Sequence, residues 1–392
     1  MTAVELDVVV AGGGPAGAAA ALCLARRGLS VALVEPAEDG GPRVGETLPP
    51  VVRELLARLG VWERFAAGGH RPAYAIRSAW GSAEPADQDH LFNPHGSGWH
   101  VDRLAFDRML AGAAVEAGAR PVRGAVTEVS RQGGAWSVAA GGNGLRARHL
   151  VDATGRAARP ARRLGAHRIA LDRLIGVVAR LPPEQTTRAA EGATLIEAVA
   201  GGWWYSARTP DGRLLLAYMT DADLWARVAR RRGAFAAELM RAELTRERVA
   251  GVPEAQARVV AAASARLHPA AGEGWLAAGD AAMAVDPLSG QGVCLAIRSG
   301  LRAAETILAE RAGDAKASRE YAAGVAQAFA AYEVTRRWFY GCERRFASSE
   351  FWRRRHERTP EEPGTGRLGP DSRASLAATA RPWSGTPAAS SP

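Results

Sequence analysis

The chain has 392 residues, 47% of them hydrophobic, enough to bury one large core or two moderate ones. Its formal charge of +9 would suit nucleic acid, an acidic partner or a membrane surface, but the arginines are spread along the chain and no recognition motif accompanies them, which argues against a nucleic-acid binder. Three scattered cysteines, Cys23, Cys294 and Cys342, make neither a disulfide framework nor a metal cluster. No apolar run is long enough to cross a bilayer, and strand-like residues begin within the first few positions instead of a secretory signal, so the cytoplasm is the expected address and no metal site is expected.

In chain order, Leu6 to Ala11 reads as a buried parallel strand, β-branched and apolar almost throughout. Pro15 to Arg27 follows as an Ala/Leu-rich helix ending at Gly28, and Val31 to Glu35 as the next strand, which completes a βαβ unit. From Gly40 to His100 the pattern breaks into short Gly-, Pro- and Trp-rich pieces around one helix near Pro50 to Leu59. A second helix is expected over Arg103 to Gly118, then alternating strands leading to His149-Leu-Val-Asp-Ala-Thr-Gly. Strand-like runs at Ile175 to Arg180, Thr194 to Val199, Trp203 to Arg208 and Leu214 to Met219 read as a separate antiparallel sheet, followed by one charged helix over Leu224 to Arg248. The α/β pattern returns at Gly274-Trp-Leu-Ala-Ala-Gly-Asp and runs into a helix after Pro287. Beyond Thr359 the Pro/Gly/Ser/Thr-rich residues carry almost no hydrophobic periodicity and are expected to be disordered.

The segment Gly12-Gly13-Gly14-Pro15-Ala16-Gly17 fits G-x-G-x-x-G, follows a strand and opens a helix. Gly12 permits the tight turn, Gly14 lets the backbone approach a pyrophosphate, and Gly17 lets helix and strand pack closely. The helix N-terminus offers unpaired N–H groups and partial positive charge to the phosphates, while Glu35 stands where it would accept hydrogen bonds from adenosine ribose hydroxyls. This motif does not separate NAD from FAD. The block Gly279-Asp280 followed by Asp286-Pro287-Leu-Ser-Gly290-Gln291-Gly292 does: a carboxylate at a strand end can hold the hydroxyls of a ribityl chain, which NAD lacks. The helix after Pro287 would aim its positive end at the flavin ring, against which Gly290 and Gly292 leave room. The fold class expected is therefore α/β, a doubly wound, Rossmann-like domain binding FAD non-covalently, with an inserted antiparallel-sheet substrate domain and C-terminal helices. The FAD domain is discontinuous, 1–163 and 268–315, with 46–100 partly lining the substrate side; the substrate domain is 164–267, the C-terminal helices 316–358 and the tail 359–392.

Together with Asp152-Ala-Thr-Gly155, these blocks resemble the superfamily of FAD-dependent aromatic hydroxylases and flavin-dependent halogenases over about the first 350 residues. The resemblance implies that Arg43-Val-Gly45-Glu46, with Thr-Leu-Pro-Pro, lies beside the isoalloxazine. It also implies that Arg103, in Trp99-His-Val-Asp102-Arg103 with Phe106-Asp107, contacts the FAD. Gly202-Trp203-Trp204-Tyr205-Ser206-Ala207-Arg208 matches the halogenase W-x-W-x-I-P only in part, and the lysine that halogenases place after the G-E motif is missing; the chain's sole lysine is Lys316, and an arginine such as Arg77 stays protonated. The Gly-Trp-Trp-Tyr-Ser stretch and Phe351-Trp352-Arg-Arg-Arg-His356 resemble halogenase-like flavoproteins that mature tryptophylquinone enzymes by hydroxylating a tryptophan within a partner protein.

That resemblance implies a monooxygenase: NADH or NADPH visits transiently to reduce the flavin, oxygen adds, and the flavin C4a-hydroperoxide transfers one oxygen atom to an electron-rich ring, of a small molecule or of a protein-borne tryptophan. Trp203, Trp204 and Tyr205 are the expected substrate-pocket residues, and Glu46 and His100 the candidate catalytic polar groups. Halogenase-like tailoring, reduction of carbon–carbon double bonds and a non-catalytic flavin-binding partner are the competing readings.

Overall fold

The computed structural model describes residues 4–36, 45–90, 92–252 and 256–357. Val4–Ala11 is the central strand of an eight-stranded sheet, and Val8, Val9, Val10 and Ala11 are wholly buried, as a strand covered on both faces requires. It pairs in parallel with Val31–Glu35 on one side and Asn143–Asp152 on the other; Arg120–Arg123 and Trp275–Ala277 extend the parallel core outward. The hairpin Val126–Gln132 and Ala135–Ala140 joins antiparallel to the long strand Asn143–Asp152. Residues 275–277 thus return to this sheet from late in the chain.

Small residues let the first helix sit close to its neighbours. Pro15–Arg26 carries proline at its first turn and buries Ala16 to Leu22. It packs on the helix Gly292–Arg311, where a methyl group at Gly300 would fall 2.1 Å from the Ala16 carbonyl oxygen. Arg103–Glu116 packs on it as well, its start capped by the Asp102 carboxylate, which accepts from the Leu104 and Ala105 backbone N–H groups.

The second sheet has seven strands in the order Arg258–Ala261, Leu174–Leu181, Leu214–Asp221, Gly202–Arg208, Thr194–Val199, Ala75–Ala79 and Ala86–Asp89. It is antiparallel except where Thr194–Val199 runs parallel to Ala75–Ala79, so part of the irregular segment before His100 supplies two of its strands. Strand alternation divides its faces. Trp204 points to one side, stacking on Tyr218 and meeting Phe235, while Trp203 packs on the other with Val178, Leu215 and Tyr340.

The single charged helix expected over Leu224 to Arg248 is instead three short ones, Ala222–Val228, Ala234–Leu239 and Glu243–Glu247. Gly233, at φ 72°, turns the chain between the first two, and the Glu197 carboxylate accepts from the backbone N–H groups of Glu243, Leu244 and Thr245 to start the third. A long helix, Ala317–Cys342, and a short one, Glu350–His356, close the described chain. The short helix is tied to the second sheet by a buried Arg355–Asp221 ion pair at 2.8 Å and by Phe351 and Trp352, which pack beside Trp203. No helix among the described residues is long and apolar enough to cross a membrane. The tail 359–392 lies outside the described residues.

Candidate functional site

One continuous cleft of about 2530 Å³ runs from the glycine turn, past the 279–292 loops, to the inner face of the second sheet and the long C-terminal helix. Its first end is built by backbone. Gly12 sits at φ 114°, where an added methyl would lie 2.2 Å from the Ala153 carbonyl oxygen; at Gly17 a methyl would lie 1.8 Å from the Gly12 carbonyl oxygen. Gly13 faces Glu35, whose carboxylate would be 2.6 Å from a methyl there. Gly14 has extended backbone and nothing within 4 Å of where a side chain would begin, so it leaves the cleft open at the start of the helix. Gly12 and Gly17 are thus needed for packing and Gly14 leaves room for a ligand.

Glu35 ends its strand beside Gly13, in a loose 3.7 Å ion pair with Arg123. Asp152 is not a ligand-facing group: it is buried and accepts from the Thr154 N–H and hydroxyl and from the Ala161 N–H, fixing the strand-end turn.

The second end of the cofactor region returns from late in the chain to the same place. Gly279 packs so closely on the first helix that a methyl there would meet Ala16 Cβ at 2.7 Å, and Gly14 and Asp280 line the same cleft. Asp280 is partly exposed, held 3.3 Å from Arg156, while its backbone carbonyl accepts from Arg168. The helix expected after Pro287 begins in two stages, a tight turn Pro287–Ser289 and then Gly292–Arg311, because Gly290 adopts φ 61° between them. Gly290 and Gly292 each have open space where a side chain would stand, and Pro287, Gln291 and Gly292 line the cleft. A glycine cradle at one end and a carboxylate, two open glycines and a helix N-terminus at the other fit the diphosphate, ribityl chain and ring of FAD.

Arg103 and Asp107 line the cleft from the helix Arg103–Glu116, the guanidinium 3.3 Å from the carboxylate and close to the Gly45 carbonyl oxygen. Arg43 lies outside the described residues, and Gly45 lines the cleft at φ 97°. Glu46 is in the wall but its side chain is buried. One carboxylate oxygen accepts from Arg180 at 2.8 Å and the other from the Gly45 N–H at 2.8 Å; burial raises its pKa against the opposing pull of Arg180. His100 is buried behind Thr47. Burial, with Arg71 and Arg248 adding to it, lowers its imidazole to about 4, so the ring is neutral.

Of the three aromatic residues expected in the pocket, Tyr205 lines the cleft and Trp203 and Trp204 do not. Trp204 points through the opposite face of the sheet, and Trp203 is covered by Trp80 and Tyr340, to whose hydroxyl its indole N–H donates at 3.1 Å. The Tyr205 hydroxyl bonds the Thr47 hydroxyl at 2.6 Å, which in turn bonds His100 Nδ1 at 3.0 Å. Burial holds the Tyr205 phenol above its ordinary value, so it stays protonated. Thr47, Arg180, Trp80 and the helix residues Tyr332, Arg336 and Tyr340 were not singled out from the sequence. Only Thr47 carried a signal, through its place next to Glu46. Among the described residues, no group of three or more His, Cys, Asp or Glu could hold a metal ion.

Residues 5–330 match the family described as FAD binding domain. LodB of Marinomonas mediterranea, a FAD-dependent oxidoreductase by name, is 28% identical over 369 residues, covering 89% of this chain and 96% of its own. Among solved structures, a peptidyl tryptophan dihydroxylase essential for tryptophylquinone cofactor biogenesis, QhpG, is 29% identical with a TM-score of 0.72, covering 93% of this chain and 81% of that one. The flavin-dependent halogenase CmlS is 25% identical with a TM-score of 0.78, covering 97% and 71% respectively. With the two halves of the cofactor region converging on one cleft, the chain belongs to the FAD binding domain family and is a FAD-dependent oxidoreductase of the halogenase and hydroxylase type.

Proposed function

We propose that this oxidoreductase is a monooxygenase that takes electrons from NADH or NADPH and hydroxylates an electron-rich aromatic ring, the indole of a tryptophan borne by a partner protein. The observation that carries this reading is the cleft wall beyond the cofactor region: Ile76, Val178, Ile196, Leu215, Ala217 and Met219 form an apolar surface, and the chain's sole lysine is absent from it. Lys316 is exposed at the start of the long C-terminal helix, so no side-chain amine is available to carry an activated halogen. The likeness to QhpG supports a peptide-borne tryptophan as the ring. The one other G-x-G-x-x-G in the sequence, Gly364 to Gly369, follows Arg358-Thr-Pro-Glu-Glu-Pro and not an apolar strand-like run, so the sequence offers no second dinucleotide motif in context, which supports a transient visit by the nicotinamide.

FAD, when bound, supplies the electron transfer and the activation of oxygen. Gly12 to Gly17 and Asp280 would hold its diphosphate and ribityl parts, Arg103 would contact it, and Pro287 to Gly292 would face its ring. The protein's part in the reaction is to hold the aromatic ring against the apolar sheet face and keep water from it. Tyr205 gives that face a polar point. Its hydroxyl, shared with Thr47, remains protonated, and the neutral His100 behind Thr47 holds the hydroxyl pair in place.

The test supplies the flavin-loaded enzyme with NADH or NADPH and labelled oxygen, with chloride and bromide present. Free tryptophan and a tryptophan-containing polypeptide are compared. Gain of labelled oxygen in the polypeptide is the expected product. A halogenated product would overturn the reading, and turnover that proceeds equally without oxygen would move the chain to the double-bond reductases.

A further inference from the structure

Asp286 opens the turn that faces the cleft, and its partners come from one face of the long C-terminal helix. Its backbone N–H donates to the Tyr332 hydroxyl at 2.7 Å. One carboxylate oxygen accepts from the Leu288 N–H at 2.9 Å and so closes the Pro287–Ser289 turn; the other accepts from the Tyr340 hydroxyl at 2.8 Å and lies 3.4 Å from Arg336 Nε. Tyr332, Arg336 and Tyr340 are spaced by four, which places them one above another on a helix. The Asp286 carboxylate is almost fully buried, and so are Arg336 and its second partner Asp172, 2.6 Å away. Two carboxylates therefore share one guanidinium. The neighbouring Arg355 lies over the Tyr340 ring but is paired with Asp221.

This arrangement does more than hold a helix. The same helix lines the cleft through Tyr332, Thr335, Arg336, Trp338 and Phe339, so one element touches both the substrate side and the loop beneath the cofactor ring. A charge imbalance a few residues from the start of the helix Gly292–Arg311 opposes the positive potential that the helix end directs into the cleft. In a buried site that opposition is weakly screened.

We propose that Tyr332, Arg336 and Tyr340 are positioning residues for the flavin, acting through Asp286: the two tyrosines fix the Pro287–Gly292 turn, and Arg336 sets the charge balance felt by the ring. The inference rests on FAD occupying this cleft and does not depend on what the enzyme oxidises.

The sign of the expected effect separates this role from plain packing. Arg336→Gln leaves two carboxylates uncompensated; a reduced flavin carries negative charge, so its binding is weakened more than that of the oxidised form and the reduction potential falls. Asp172→Asn removes one negative charge with almost no change of shape, so the potential rises. A tenfold change in the ratio of the two affinities corresponds to about 30 mV for a two-electron couple. Tyr340→Phe alters no charge; it is expected to weaken FAD binding by the apoprotein five- to tenfold while moving the potential less than either charge variant.

The experiment measures FAD affinity by fluorescence titration of the apoprotein and the midpoint potential of the resting holoenzyme by dye equilibration, without substrate or oxygen. Shifts of opposite sign for Arg336→Gln and Asp172→Asn are expected. Shifts of the same sign, or none in either, would overturn the proposal. If Arg336→Gln does not fold, the Asp172→Asn shift decides alone: upward supports the proposal, absent or downward overturns it. Failure to hydroxylate any ring with these shifts present would sink the monooxygenase reading and leave this one standing.

Discussion

The two ends of the cleft are made in different ways. At the nucleotide end the backbone itself is the site: Gly12 answers to the Ala153 carbonyl at the end of the adjacent strand, Gly17 to the Gly12 carbonyl, and Gly14 is left open. At the ring end, side chains from the early loop, the second sheet and the C-terminal helix meet across large sequence separations: Thr47 and Tyr205 are 158 residues apart, Trp80 and Phe339 259. A site written in backbone tolerates no added atoms where it packs, whereas a site written in side-chain pairs is sensitive to which partner is removed.

The largest expected effect lies at the nucleotide end. Gly12→Ala and Gly17→Ala would each drive a methyl into a backbone oxygen that cannot move away, and Gly12 adds a left-handed backbone. Each should cost about 3 kcal/mol of stability and abolish flavin uptake. Gly14→Ala has free space and ordinary backbone, so it should leave stability within about 0.5 kcal/mol and yet weaken FAD binding. Thermal denaturation and the bound-flavin absorbance of the purified proteins read both quantities. Equal loss of stability in all three variants would remove the distinction between packing glycines and a ligand-facing one.

The next effect belongs to the ring end. Glu46 is buried and its partner Arg180 partly so, and removing the guanidinium strands a carboxylate that is only 1% exposed. Because Arg180 is itself 25% exposed, Arg180→Met should cost about 2 kcal/mol, and Glu46→Gln, which keeps shape and hydrogen-bonding capacity, clearly less. A double-mutant cycle in urea isolates the coupling. If Arg180→Met is the milder of the two, the pair is not what holds the 45–50 segment against the sheet.

This contrast also explains what could be read from the sequence. The βαβ unit, the strand Val31–Glu35 and the strands Thr194–Val199 and Leu214–Asp221 were legible because local periodicity and glycine chemistry encode them. The convergence of Gly14 and Asp280 was legible because each segment carries its own ligand chemistry. The Trp203-Trp204-Tyr205 run was not. Three aromatics in a row look like one pocket, but strand alternation sends the middle one through the sheet, and Trp80, whose position depends on a parallel pairing made 118 residues away, covers the first. The charged segment 224–248 has helical composition throughout, and Gly233 and the distant Glu197 decide where it breaks.

A smaller effect tests the buried imidazole. His100 in the fold is held near 4, below the ordinary value of about 6.5, so the unfolded chain binds its proton first. Its contribution to stability is therefore complete above about pH 6.5 and is lost as pH falls toward 4, with a slope of up to about 1.4 kcal/mol per pH unit. His100→Gln should flatten that part of the stability curve. Urea titrations at pH 7, 5.5 and 4.5 check it, and an unchanged slope would mean that the ring is already solvated at neutral pH.

The smallest expected effect bears directly on the chemistry. Lys316 is exposed before the first turn of the helix Ala317–Cys342 and is not among the residues that line the cleft. For hydroxylation of an indole by molecular oxygen activated at bound FAD, the side chains would need only to exclude water and hold the ring. A halogen passed to the same indole would need an amine along the way, and this is the chain's only one. Lys316→Met should therefore leave turnover, product and flavin content unchanged. A loss of more than tenfold in kcat with FAD still bound would place an amine on the reaction path and return the chain to the halogenases.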